Sequence, residues 1–274
     1  MPSNFLRPLS LLCVCVWLLS ACANRSERDL AQQLDRALPT DVLLLGEQHD
    51  AHDHQRIHQA VVQGLAERGQ LAALALEMAD QGHTTRLLAA GASEAQVRSA
   101  LQWRDDAWPW RAYGPAVMAA VRAGVPVYGA NLPRAQMRER MADAQLDTVL
   151  PDAALQAQQH AIREGHCDLL PATQIRPMTR VQIARDQSMA RTVQDLVRPG
   201  QTVLLLAGHG HVNRRLGVPM HLPRALRVEA IRLGGATGPA DAEASDAPAF
   251  DAVWPAPAAA PKDYCAELKA GLGR

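Results

Sequence analysis

An α/β fold, a mostly parallel sheet flanked by helices, is predicted by three features of this 274-residue chain. Short apolar runs without alternation recur at 42–45, 71–76, 125–128, 202–207 and 227–233. Such runs mark strands buried on both faces, as in a parallel sheet. Helical patterns stand between them, at 55–67 and 113–123 for example, and serve as crossovers. Finally, the stretch 133–199 has no strand signal and is rich in Ala, Gln, Arg, Met and Leu. It predicts a smaller helical subdomain inserted between the third and fourth strands, with Pro151, Pro171 and Pro177 beginning or ending its helices.

At the amino terminus Arg7 precedes nine apolar residues, 11–19, too few to span a bilayer and right for a signal-peptide core. The run closes on Leu19-Ser20-Ala21-Cys22, which resembles a bacterial lipobox. Residues 1–21 are thus expected to be a lipoprotein signal peptide and Cys22 the lipid-bearing first residue, anchoring the chain to a membrane. An ordinary secretory leader cut after Ala21 is the alternative. Ala23 in place of aspartate points to the outer membrane, facing the periplasm. Residues 22–38 read as a tether and first helix, 39–235 as the α/β domain, and 236–274 as an Ala/Pro-rich tail with little order over 237–261. Cys13 and Cys15 leave with the leader. Cys167 and Cys265 remain, and an oxidising compartment favours a disulfide tying the tail back, over two buried thiols. Lys+Arg and Asp+Glu balance at 28 each, which excludes nucleic acid as a partner.

Polar residues gather where the predicted strands end. Glu47 and His49 follow the first strand, Glu77 ends the second, Asn131 the third, and His209 and His211 follow the fourth. The carboxyl ends of parallel strands open onto the ligand crevice, so these residues form a candidate site. Glu77 stands out, since a carboxylate emerging from a buried strand requires a partner. Met178, Gln182, Arg185, Asp186 and Met189 share one helical stripe, which would carry Arg185 and Asp186 into the crevice. Trp103, Trp108, Trp110 and Tyr113 form either a platform for a flat ligand or ordinary loop packing. His49, with His52, is assigned to the crevice; His54 and His58, spaced i, i+4, are assigned to a solvated helix face. His209 and His211 point the same way if extended.

The motifs Gly46-Glu47-Gln48-His49, Leu76-Glu77-Met78, 110–115, Asn131-Leu132-Pro133-Arg134, Gly165-His166-Cys167, Gln182 with Arg185-Asp186, and Gly208-His209-Gly210-His211 occur in this order. Together they resemble the ChaN-like haem-binding lipoproteins, a family grouped with the TraB/Tiki and erythromycin esterase-like proteins. The resemblance implies a parallel sheet with a smaller helical domain, haem as cofactor, a role in iron uptake, and cofactor shared across a homodimer. It also implies tyrosine ligation of the iron. None of Tyr113, Tyr128 and Tyr264 matches the family's ligand position, so Tyr113, Tyr264 and His209 stand as candidates. The leading expectation is haem binding without catalysis. The alternative is a hydrolase of ester or peptide bonds, metal-assisted in some relatives, using Glu47, His49, Glu77 and His209.

Overall fold

A computed structural model of the protein describes residues 28–234, 248–257 and 262–272. The predicted leader, with Cys13, Cys15 and Cys22, lies outside them, as do tail residues 235–247 and 258–261. Helix α1 (28–37) belongs to a separate unit that ends at Leu38.

From Pro39 onward six strands build one sheet: β1 (Val42–Glu47), β2 (Leu71–Asp80), β3 (Val127–Asn131), β4 (Thr202–Gly208), β5 (Val228–Leu233) and β6 (Ala252–Trp254). All pairings are parallel, in the order β3-β2-β4-β1-β5-β6. Central β1 and β4 are buried along their whole length, as their unbroken apolar runs require. Val42, Leu44, Val203 and Leu205 pack on one face with Met189, Ala190 and Val193 of α7 (Ala172–Leu196). The period of two turns the equally buried Leu43, Leu45, Leu204 and Leu206 to the other face, where α2 (His52–Glu67) and α4 (Trp110–Arg122) lie. Each such leucine contributes about 1.5–3 kcal/mol by leaving water. In register, Glu47 stands opposite Gly208, so the two strand ends meet at one edge.

Helix α3 (Glu94–Ala100) starts on a capping box between Ser93 and Gln96. The predicted helical insertion is α5 (Met137–Ala142), α6 (Asp152–Gly165) and α7. It has its own apolar cluster of Leu132, Leu146, Leu150, Ile183 and Ala184. Helix α7 serves both cores, because its length lets one stretch face the sheet and another face α5 and α6. Pro151 and Pro171 occupy N-caps, but Pro177 lies inside α7 and ends nothing. So near the helix start it forgoes one hydrogen bond, to the exposed Thr173.

The tail also departs from expectation. Asp251 accepts the Ala230 N–H, Phe250 and Trp254 are buried, and 252–254 add β6 to the sheet. Two aromatics give this Ala/Pro-rich stretch the apolar area that its composition conceals. Two short helices complete the chain, α8 (His209–Val212) and α9 (Tyr264–Leu272). A disulfide joins Cys265 of α9 to Cys167, with Cα atoms 5.5 Å apart. Among the described residues no helix is long and apolar enough to cross a membrane.

Candidate functional site

The polar strand ends converge. Glu77 does not end β2 as expected but sits three residues before its last residue, where the register against β3 shifts between Leu76 and Asp80. There it is 2% exposed and surrounded by donors. The Arg185 guanidinium donates to its Oε1 at 2.9 Å, and the Gly208 N–H donates to its Oε2 at 2.7 Å. His211 Nε2 lies 3.3 Å from Oε1. Burial would raise the carboxyl pKa, yet His211, His49 and Arg185 hold it well below the usual carboxylate range. Asn131 ties the group together, donating to the Glu77 carbonyl at 2.8 Å and accepting from Arg185 Nε at 2.9 Å.

His211 sits between two carboxylates. Its Nδ1 is 2.6 Å from Asp186 Oδ1, and the Gln182 amide nitrogen lies 3.2 Å from the same nitrogen. Burial pushes its pKa down, but Glu77 and Asp186 outweigh burial and hold it up at about 9. At neutral pH this is therefore a buried imidazolium held between Glu77 and Asp186. Burial in turn raises Asp186.

Glu47 organises the other half. At 1% exposure it accepts from the Tyr113 hydroxyl at 2.6 Å, with His49 Nδ1 at 2.7 Å from the same oxygen, Oε1. Gln55 approaches its second oxygen at 3.4 Å and donates to the His49 carbonyl at 2.9 Å. With Nδ1 engaged, His49 presents Nε2 towards Glu77 Oε2, 3.8 Å away. Burial lowers the pKa of His49, but the two glutamates leave it raised. Two glycines make this packing possible. A Cβ on Gly208 would stand 2.8 Å from His49 Nε2, and one on Gly46 would stand 2.3 Å from the Val212 side chain.

Above these groups lies a crevice of about 490 Å³, lined by Glu47, His49, Gln182, Gly208, His209, His211 and, from α9, Tyr264. A larger cavity of about 770 Å³ lies beyond the aromatic cluster, lined by Trp110, Arg98, Arg111 and Arg122. It contains none of the strand-end carboxylates or imidazoles, so the smaller crevice is the candidate site.

Most predicted residues meet here, with several corrections. Trp110 faces the larger cavity instead, its indole N–H donated to Glu94 at 3.0 Å. Tyr113 is buried under Glu47, and burial together with that carboxylate pushes its phenol far above its usual range. Trp103 packs edge to face on Trp110 at 5.0 Å, and Trp103 and Trp108 both flank Tyr113; of the three, Trp108 reaches a crevice residue, His49, at 4.8 Å. His54 and His58 are not on a solvated face: both are 1% exposed, and it is His52 that is exposed. His58 Nδ1 lies 3.7 Å from Glu47 Oε2, and burial lowers this imidazole to about 4, keeping it neutral. The signal was present, since 54, 58, 61, 62 and 65 fall on one helical stripe with Val61, Val62 and Leu65. His209 and His211 diverge because 209–212 is helical: His209 is exposed and His211 buried. Gln55 is the functional neighbour that sequence reasoning missed.

No cluster of three or more His, Cys, Asp or Glu side chains among the described residues could hold a metal ion. The carboxylates here are paired with Arg185, His211, His49 and Tyr113.

Residues 33–222 match the family described as haem-binding uptake, Tiki superfamily, ChaN. Among solved structures, ChaN of Campylobacter jejuni, described as binding heme cofacially, is similar in fold. It is 23% identical, with 76% of this chain and 86% of that chain covered and a TM-score of 0.61. The type III effector HopBA1 is a looser likeness, with 15% identity, 73% of this chain and 79% of that chain covered and a TM-score of 0.37. No curated protein is significantly similar. The family match spans well over half of the chain and includes each strand-end motif, and the chain belongs to the ChaN family of the Tiki superfamily.

Proposed function

We propose that this protein binds haem in the crevice at the strand ends and serves haem or iron uptake from a lipid anchor at Cys22. Family membership supports haem as the ligand. The observation that carries the location is the crevice mouth, where Tyr264 and His209 are exposed over a floor of polar groups already paired with one another. Haem iron takes a phenolate or an imidazole as axial ligand. Tyr113 is excluded as that ligand by its burial and its bond to Glu47, which leaves Tyr264 and His209. The Tyr264 hydroxyl donates to Asp50, which holds the phenol at the mouth, where it would meet a bound haem. Exposed Gly210 adds no side chain at the mouth, and a Cβ there would meet nothing within 4 Å.

Titration of the lipid-free protein with haem is expected to give a saturable Soret shift. Tyr264→Phe or His209→Ala should alter the band and Tyr113→Phe should not; a titration without saturation overturns the reading. Cys22→Ser is expected to move the protein from the outer-membrane fraction to the soluble periplasm. Sedimentation with and without haem tests a cofactor-bridged homodimer.

A second reading, hydrolysis of an ester or peptide bond, is favoured by one observation. Glu47 holds crevice-lining His49 through Nδ1 and leaves Nε2 beside Glu77 at 3.8 Å without a hydrogen bond, the arrangement of an oriented general base. His49 would take a proton from water as its oxygen adds to the carbonyl carbon, then return it to the leaving group. A panel of esters and peptides tests this, with activity lost in His49→Ala and Glu47→Gln.

A further inference from the structure

Helix α9 is held to the fold by bonds more than by packing. Tyr264 is 46% and Leu268 37% exposed, and its other described side chains are exposed except Cys265. Such a helix gains little hydrophobic stabilisation, and at nine residues it is shorter than the roughly 12–15 at which an isolated helix becomes marginal. Its amino end is ordered within the segment. Asp263 accepts the Ala266 N–H at 2.8 Å, and Lys262 pairs with Glu267 at 2.9 Å. Among the described residues, two links stand out between this segment and the rest of the protein. One is the disulfide to Cys167, which follows α6 in left-handed backbone with φ of 56°. The other is the bond from the Tyr264 hydroxyl to Asp50, in the loop after β1. Tyr264 and Cys265 are adjacent, so the residue that fixes α9 also sets where the phenol stands.

We propose that the Cys167–Cys265 disulfide is a positioning device that completes the crevice by holding Tyr264 at its mouth. The ligand site exists in full only in the oxidised chain. Its bearing on affinity rests on the haem reading above; its bearing on where α9 stands does not. A dithiol that closes to its own cyclic disulfide supplies two electrons and two protons, the S–S bond breaks, and two cysteine thiols result. Helix α9 then loses its covalent tether and Tyr264 leaves the mouth.

Two measurements on the full chain test this. The only lysines in the sequence are Lys262, just before α9, and Lys269 within it, so cleavage after Lys269 by a lysine-specific protease reports on α9. Cleavage is expected to run about tenfold faster in Cys167→Ser/Cys265→Ser, and in dithiol-reduced wild type that keeps its near-UV circular dichroism, because proteolysis follows the open population. Equal rates overturn the proposal. In haem titrations the double serine variant should lose affinity by the same factor as Tyr264→Phe, and the triple variant should lose no more. Additive losses, or wild-type affinity in the serine variant beside a weakened Tyr264→Phe, overturn it. If wild type takes up no haem, the crevice reading fails, and the protease rates alone decide whether the disulfide positions α9.

Discussion

The crevice has a bed and a mouth, and they use the same residue types in opposite ways. In the bed, Glu77, Arg185, His211, Asp186 and Asn131 are bonded to one another, and only Asp186 Oδ2 is buried without a partner. At the mouth, His209, Tyr264 and His49 are exposed. Both regions contain histidine, but His211 is a clamped cation while His209 stands exposed on the helix that follows the same strand. A polar residue at a strand end is thus no direct sign of ligand contact. Where partners already saturate it, the residue holds the architecture, and chemistry is left to the neighbours it positions.

The sharpest way to break this division is to remove a charge from the bed. Arg185→Ala leaves Glu77 buried beside one cation fewer and strips Asn131 of a donor. The expected loss is about 3–5 kcal/mol in urea unfolding, the usual cost of stranding a buried charge. A loss below about 1 kcal/mol would mean that water already reaches the bed, and the two regions would no longer differ.

A second, somewhat smaller effect concerns pH. His211 is raised from 6.5 to about 9 by Glu77 and Asp186 against the pull of burial. A group with a raised folded pKa binds its proton more tightly when folded. Its stabilisation is therefore complete below pH 6.5 and is lost as pH rises through about 9. The loss is on the order of 3 kcal/mol, and His211→Gln should flatten it. Urea midpoints between pH 6 and 10 measure it; a midpoint that rises with pH across that window contradicts the clamp. Smaller again, Tyr113→Phe removes one hydrogen bond to a buried carboxylate and is expected to cost about 2 kcal/mol.

The bed was more legible in sequence than the mouth, for a physical reason. Buried strands announce themselves as apolar runs, so a glutamate interrupting one, or arginine and aspartate on a methionine stripe, is conspicuous. Glu77, Arg185 and Asp186 were all visible this way. The mouth depends on features without periodicity. The turn of helix that separates His209 from His211 is four residues long, and Tyr264 arrives from a tail whose composition suggested disorder. His54 and His58 look solvated by residue type, but their position is on the apolar stripe, where they are buried as neutral imidazoles. In the tail, β6 is three residues long, too short for any pattern to show.

The smallest expected effect on stability falls at the mouth and is the most informative about function. His209 is exposed, with Nδ1 3.2 Å from the Glu47 carbonyl. Its replacement by alanine should change unfolding free energy by no more than about 0.5 kcal/mol, as surface substitutions do. On the proposed haem reading the same change should weaken haem binding or move the Soret band, because the imidazole lines the crevice. Arg185→Glu at the bed would confound both readouts by unfolding the chain, whereas His209→Ala separates them. If His209→Ala instead destabilises as strongly as Arg185→Ala, the mouth is scaffold too. Ligand contact would then have to be sought beyond the aromatic cluster, where Arg111 and Arg122 flank the larger cavity.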